Sequence, residues 1–112
     1  MTKKENILIA EFMGIDIYDT NHDGHVTYIN PRDRARVITL RYDEYNDLMP
    51  VVEKIREHTT VTINYLTFDK YPADNQTMVT INSLDICITV KDSKEAIYKA
   101  VVEFIKWYNK NK

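Results

Sequence analysis

Asp92-Ser93-Lys94-Glu95-Ala96-Ile97-Tyr98-Lys99-Ala100-Val101-Val102-Glu103-Phe104-Ile105-Lys106-Trp107-Tyr108-Asn109 is the stretch whose reading decides the fold. Its first four residues have the Asp-x-x-Glu form of a capping box, in which side-chain oxygens take N–H groups that the first helical turn leaves unpaired. Ile97, Ala100, Val101, Phe104, Ile105 and Tyr108 then recur at helical spacing, with charges on the opposite side. The spacing predicts a helix to about Asn109. Its apolar stripe needs a sheet to cover it.

Immediately upstream, Thr59 to Val90 alternates with period two. Val61-Ile63-Tyr65, Met78-Thr80 or Val79-Ile81, and Leu84-Ile86-Ile88-Val90 each mark a strand. The breaks fall at Lys70 to Gln76 and at Asn82-Ser83, so two hairpins in series form an antiparallel meander. Further back, Tyr42 to His58 carries Tyr45, Leu48, Met49, Val52 and Ile55 on one helical face. Pro50 suits only the first turn of a helix, which predicts an irregular start and a regular helix from near Leu48. Asn6 is placed to cap a short helix with Ile9 or Leu8, plus Phe12, facing the core, and Gly14 stands where a terminating glycine belongs.

Between these two helices, Ile15 to Tyr18 and Val26 to Ile29 read as a hairpin around an Asp/Asn/Gly loop. Val37 to Leu40 is an optional further strand. The order α-β-β-α-β-β-β-α predicts one α+β domain over residues 1–112. It is expected to be an antiparallel sheet of about four to six strands, built as a three-layer α-β-α sandwich.

Composition is consistent with that. The chain has 112 residues, 44% hydrophobic and 29% charged, so neither intrinsic disorder nor a second ordinary domain is expected. The formal net charge is −2, which argues against a dedicated nucleic-acid binder. Cys87 is the single cysteine and is expected to be a buried small hydrophobe in a reducing compartment. The N-terminal residues show neither a signal peptide nor a membrane span, so a cytoplasmic location is expected.

Three blocks together resemble the phage ABA sandwich domain family. They are Leu8-Ile9-Ala10-Glu11-Phe12-Met13-Gly14, Leu48-Met49-Pro50-Val51-Val52-Glu53-Lys54-Ile55, and Ala100-Val101-Val102-Glu103-Phe104-Ile105-Lys106-Trp107-Tyr108-Asn109. The resemblance implies an α-β-α architecture and a phage, prophage or Bacteroidetes-type source. It carries no catalytic or ligand residue. The shared blocks are apolar helix faces, and the first hairpin departs from the family pattern.

That hairpin holds the sharpest local motif, Asp19-x-Asn21-x-Asp23-Gly24-x-Val26-x-x-x-Asn30. An EF-hand loop wants oxygen ligands at positions 1, 3 and 5, glycine at 6, an aliphatic residue at 8 and a bidentate Glu at 12. Asp19, Asn21, Asp23, Gly24 and Val26 fit. Asn30 removes the twelfth carboxylate, and both flanks look like strands rather than helices. A polar hairpin loop is the favoured reading, with a weak Ca²⁺ site at Asp19, Asn21 and Asp23 as the alternative. His22 and His25 read as solvent-facing loop histidines.

Arg32, Arg34 and Arg36 would share one side of an extended segment near Tyr28, Tyr42 and Tyr45, a pattern suited to single-stranded nucleic acid. The favoured reading is a charged edge that blocks unwanted strand pairing. No nucleophile motif or glycine-rich phosphate loop is present, and no cofactor is expected. The sequence therefore points to a non-enzymatic protein that binds an unknown protein partner or a second copy of itself. Calcium binding and nucleic-acid binding through the arginines are the alternatives.

Overall fold

The computed structural model describes residues 2–20, 24–29, 32, 37–68, 74–81 and 86–111. Within them the chain forms α1 (Lys3–Phe12), β1 (Asp19–Thr20), β2 (Val26–Ile29), β3 (Val37–Leu40), α2 (Tyr45–Arg56), β4 (Val61–Phe68), β5 (Asp74–Ile81), β6 (Ile86–Val90) and α3 (Ser93–Asn111). The α+β class is as expected. The single sheet of about four to six strands is not: the strands form two antiparallel three-stranded sheets, β1-β2-β3 and β4-β5-β6. Each sheet is a local meander whose strands pair with their sequence neighbours, and α2 separates the two sets. The optional strand at Val37–Leu40 is present, which makes the order α-β-β-β-α-β-β-β-α.

The second sheet sorts its residues by pleat. Val61, Ile81 and Ile86 lie in one cross-strand row, and Ile63, Val79 and Ile88 in the next. These rows face the core. Thr62, Thr80 and Cys87 form a row on the other side, where Cys87 is exposed. The expectation of a buried Cys87 is therefore corrected: with Ile86 and Ile88 turned inward, strand alternation turns Cys87 outward. The core face meets α3, and α1 and α2 pack against α3 in turn. Among the described residues, helix covers only this face, so the expected α-β-α layering does not close over this sheet.

α3 is consequently buried over a wider arc than its sequence stripe. Ala96, Tyr98 and Val102 join Ile97, Ala100, Val101, Phe104 and Ile105 in the core. Its start is as read: Asp92 Oδ1 accepts from the Lys94 and Glu95 backbone N–H groups at 2.9 and 3.3 Å. The Glu95 carboxylate pairs with Lys99 at 3.0 Å.

Two helix starts differ from expectation. α1 is capped by Thr2, not Asn6. The Thr2 hydroxyl accepts from the Glu5 N–H, and the Glu5 carboxylate accepts from the Thr2 N–H, both at 3.1 Å. This is a complete capping box, four residues upstream of the expected cap. α2 begins at Tyr45 rather than near Leu48, because Leu48 N–H already bonds the Glu44 carbonyl at 3.0 Å. Pro50 sits inside α2 on its exposed side, where the ring meets water rather than a packed neighbour.

The end of α1 is as expected. Gly14 has φ +73°, its N–H bonds the Glu11 carbonyl, and the Ile15 N–H bonds the Ala10 carbonyl, each at 3.0 Å. These two bonds are a Schellman motif. Lys54 reaches from α2 to donate to the Phe12 carbonyl at 2.6 Å, a cation at the negative end of the α1 dipole. Phe12, Phe104 and Tyr108 pack edge-on and stacked beside it, with the His58 ring 5.3 Å from Tyr108.

Candidate functional site

The first hairpin is held by backbone pairing. Asp19 lies opposite Thr27, and Thr20 opposite Val26. β1 therefore starts where the expected strand over Ile15 to Tyr18 ends, and Ile15 and Ile17 are half-buried residues packed on the core. The flanks of the EF-hand-like motif are strands, as its sequence context predicts. Asp19 is exposed, and its Oδ1 accepts from the Thr20 N–H at 2.8 Å. Thr27, at position nine of the motif, donates its hydroxyl to the Asp19 carbonyl at 2.9 Å. Asn21 and Asp23, the other two candidate calcium ligands, lie outside the described residues, as do His22 and Asn30. Among the described residues, no group of three or more His, Cys, Asp or Glu side chains is placed to hold a metal ion.

Gly24 has a packing role in this loop. Its φ is +86°, and a Cβ there would stand 3.3 Å from the backbone N and Cα of Lys3. The loop base presses that closely on the first turn of α1. Asn6, buried in α1, donates through Nδ2 to the Gly24 carbonyl at 2.9 Å. Asn6 Oδ1 in turn accepts from the buried Tyr98 hydroxyl at 2.7 Å. One asparagine thus ties the first hairpin to the central helix, and the motif glycine is explained without a cation. Burial raises the Tyr98 phenol well above its ordinary pKa, and the Glu5 and Asp43 carboxylates push the same way. Sequence reading assigned Asn6 to a cap because asparagine at the edge of an apolar run looks like one. Its lone polar position on the buried face of α1 was the available signal for a tertiary bond.

Tyr42 is a second buried tyrosine. It is 2% exposed, and its hydroxyl has no hydrogen-bond partner among the described residues. Burial raises its phenol strongly, and the Asp47 carboxylate and Tyr28 add to the shift. Both act as core residues.

Of the arginine stripe, Arg32 is exposed, and Arg34 and Arg36 lie outside the described residues. The structure therefore does not bring the three together or separate them.

The outer face of the first sheet is a feature that sequence reading missed. Ile29 and Val37 face each other across β2 and β3, and they are 39% and 57% exposed. Their neighbours on that face are Thr27, Thr39 and Asp19. Tyr18, next to β1, is 65% exposed. The opposite face, with Val26 and Leu40, packs on the core. Single exposed apolar residues are ordinary, but a cross-strand pair of β-branched residues forms one continuous patch. Alternation at Val26 to Ile29 was visible in the sequence, but the partner that doubles Ile29 came from the β2–β3 register.

Surface depressions lie along α2 and beside β6. One of about 940 Å³ runs along the outer side of α2, lined by Met49, Pro50, Glu53, Lys54, Arg56 and Glu57. All six residues belong to α2 or its end, and no second element among the described residues lines it. The other, about 490 Å³, lies between β6, the flank of α3 and Glu5 of α1. Among the described residues, no helix is long and apolar enough to cross a membrane. No family model matches the chain, and no curated protein or solved structure matches it either.

Proposed function

We propose that this protein is a non-enzymatic binding module that docks a protein partner on the outer face of its first sheet. The carrying observation is the exposed Ile29–Val37 pair. A flat β-branched patch flanked by threonines suits the apolar centre of a contact with a polar rim. The resemblance of the three helix blocks to phage ABA sandwich domains supports a phage or prophage origin, and a partner from the same source.

The test is co-purification from the native host with intact protein and with an Ile29→Ser/Val37→Ser variant. Both residues are exposed, so the double variant should unfold within about 1 kcal/mol of the parent. Recovery of a stoichiometric partner by the parent, and its loss with the variant, supports the reading. Equal recovery by both proteins moves the contact elsewhere and overturns it.

A further inference from the structure

We propose that a second copy of this chain adds its β6 to this β6, antiparallel about a two-fold axis, joining two β4-β5-β6 sheets into one of six strands. This surface is separate from the first-sheet patch, and the two proposals stand or fall independently.

The first support is the edge itself. In the order β4-β5-β6, β6 pairs with β5 on one side and with no other strand among the described residues on the other. A free edge offers a row of backbone donors and acceptors to any passing strand, and folded proteins usually blunt it with charge, proline or a bulge. Ile86-Cys87-Ile88-Thr89-Val90 has no charged residue and no proline. Its register with β5 runs one to one from Ile81↔Ile86 to Thr77↔Val90, so no bulge interrupts it.

The second support is apolar. Ile86, Ile88 and Val90 belong to the core face but are only half-buried. An antiparallel copy of β6 would set three identical side chains beside them and extend the core face.

The third support is charge. The groove beside β6 is lined by Lys99 and Glu103 on α3 together with Glu5. Lys99 and Glu103 are one helical turn apart, and their side chains are 51% and 54% exposed. A two-fold axis perpendicular to the sheet lays the two α3 helices antiparallel. Lys99 of each copy then faces Glu103 of the other, so the same patch supplies both signs twice. A surface that complements itself in this way selects a second copy over a partner of uniform charge.

Light scattering after size exclusion, run over a concentration series, tests the proposal. The parent protein should show twice its 13.2 kDa monomer mass. Lys99→Glu should weaken the dimer at least tenfold, because each of the two contacts becomes Glu against Glu. Lys99→Glu combined with Glu103→Lys should restore it. Circular dichroism on each variant establishes that these exposed changes leave the fold intact. Three outcomes overturn the proposal: a parent that stays monomeric into the hundreds of micromolar, a dimer insensitive to Lys99→Glu, or a double variant that stays weak. A dimer lost in Ile29→Ser/Val37→Ser but kept in Lys99→Glu would place self-association on the first sheet and overturn it as well.

Discussion

The Tyr98 hydroxyl donates to Oδ1 of Asn6 at 2.7 Å, while Nδ2 of the same asparagine donates to the Gly24 carbonyl at 2.9 Å. The two residues are ninety-two positions apart, and both are buried. Tyr98→Phe leaves the Asn6 oxygen without a donor and should cost about 1–3 kcal/mol. Asn6→Ala strands the Gly24 carbonyl as well and should cost at least as much. The double variant should lose less than the sum, by about 0.5 kcal/mol or more, because the shared bond is removed only once. Urea unfolding at constant m-value measures all three, and strict additivity would show that the bonds act separately.

The two glycines should respond unequally to alanine. Both have positive φ, a conformation that costs a side-chain-bearing residue roughly 1–2 kcal/mol. A Cβ at Gly14 would have open space around it, whereas one at Gly24 would press on the Lys3 backbone at 3.3 Å. Gly24→Ala should therefore lose clearly more stability than Gly14→Ala. Asn at position 14 should recover part of the smaller loss, since asparagine tolerates this conformation at a helix end. Thermal melts of the three variants give the ranking.

Alkaline pH should destabilise the protein through Tyr42 and Tyr98. Both phenols are raised in the folded state, chiefly by burial. In the unfolded chain they lose protons near pH 10. Above that pH the unfolded state binds fewer protons than the folded one, so stability falls as pH rises. It is at its full value below about pH 10, where both states keep the phenol protons. Tyr42→Phe also removes a buried hydroxyl that has no partner among the described residues, so it should both flatten the alkaline fall and raise stability at neutral pH. Denaturant midpoints from pH 8 to 11, with the variant beside the parent, check both effects.

Calcium should leave the melting temperature unchanged at millimolar concentration. The described part of the loop gives Asp19 and Thr27 local hydrogen bonds, and its glycine serves the contact with α1. A true site would add about 2.7 kcal/mol at a hundredfold excess of ion over its dissociation constant, and would show as an upward shift. An upward shift that Asp19→Asn abolishes would establish a cation site here.

Much of this fold was legible because apolar periodicity is a local signal. The α3 stripe, its Asp92 cap, the Gly14 terminus and the existence of all three strands of the second sheet could be read from spacing alone, although Asp74 to Gln76, read as part of a break, belong to β5. Division into two sheets could not, since which strands share a sheet depends on contacts across α2 that no short window contains. β1 was misplaced because Asp19-Thr20 has no apolar alternation and exists only through its pairing with β2. The α1 cap was misread because two capping residues, Thr2 and Asn6, compete within one turn. Only tertiary packing shows that Asn6 is spent on Gly24 and Tyr98. The exposed Ile29–Val37 pair was hidden for the same reason, as register decides which face a short strand turns to water.

α3 touches β5 and β6 on one side and α1 and α2 on the others. Releasing any one neighbour leaves the rest in place, so the amides from Ala100 to Ile105 should exchange with solvent deuterium only when the whole molecule opens. The first sheet is tied in more lightly, through Val26, Leu40 and the Asn6–Gly24 bond. Its amides should exchange through smaller, more frequent openings. The molecule then carries two tiers of local stability, and the surface proposed to meet a partner lies in the lower one. A bound partner would be read most directly as a slowing of exchange in β2 and β3 while the α3 amides stay as they were.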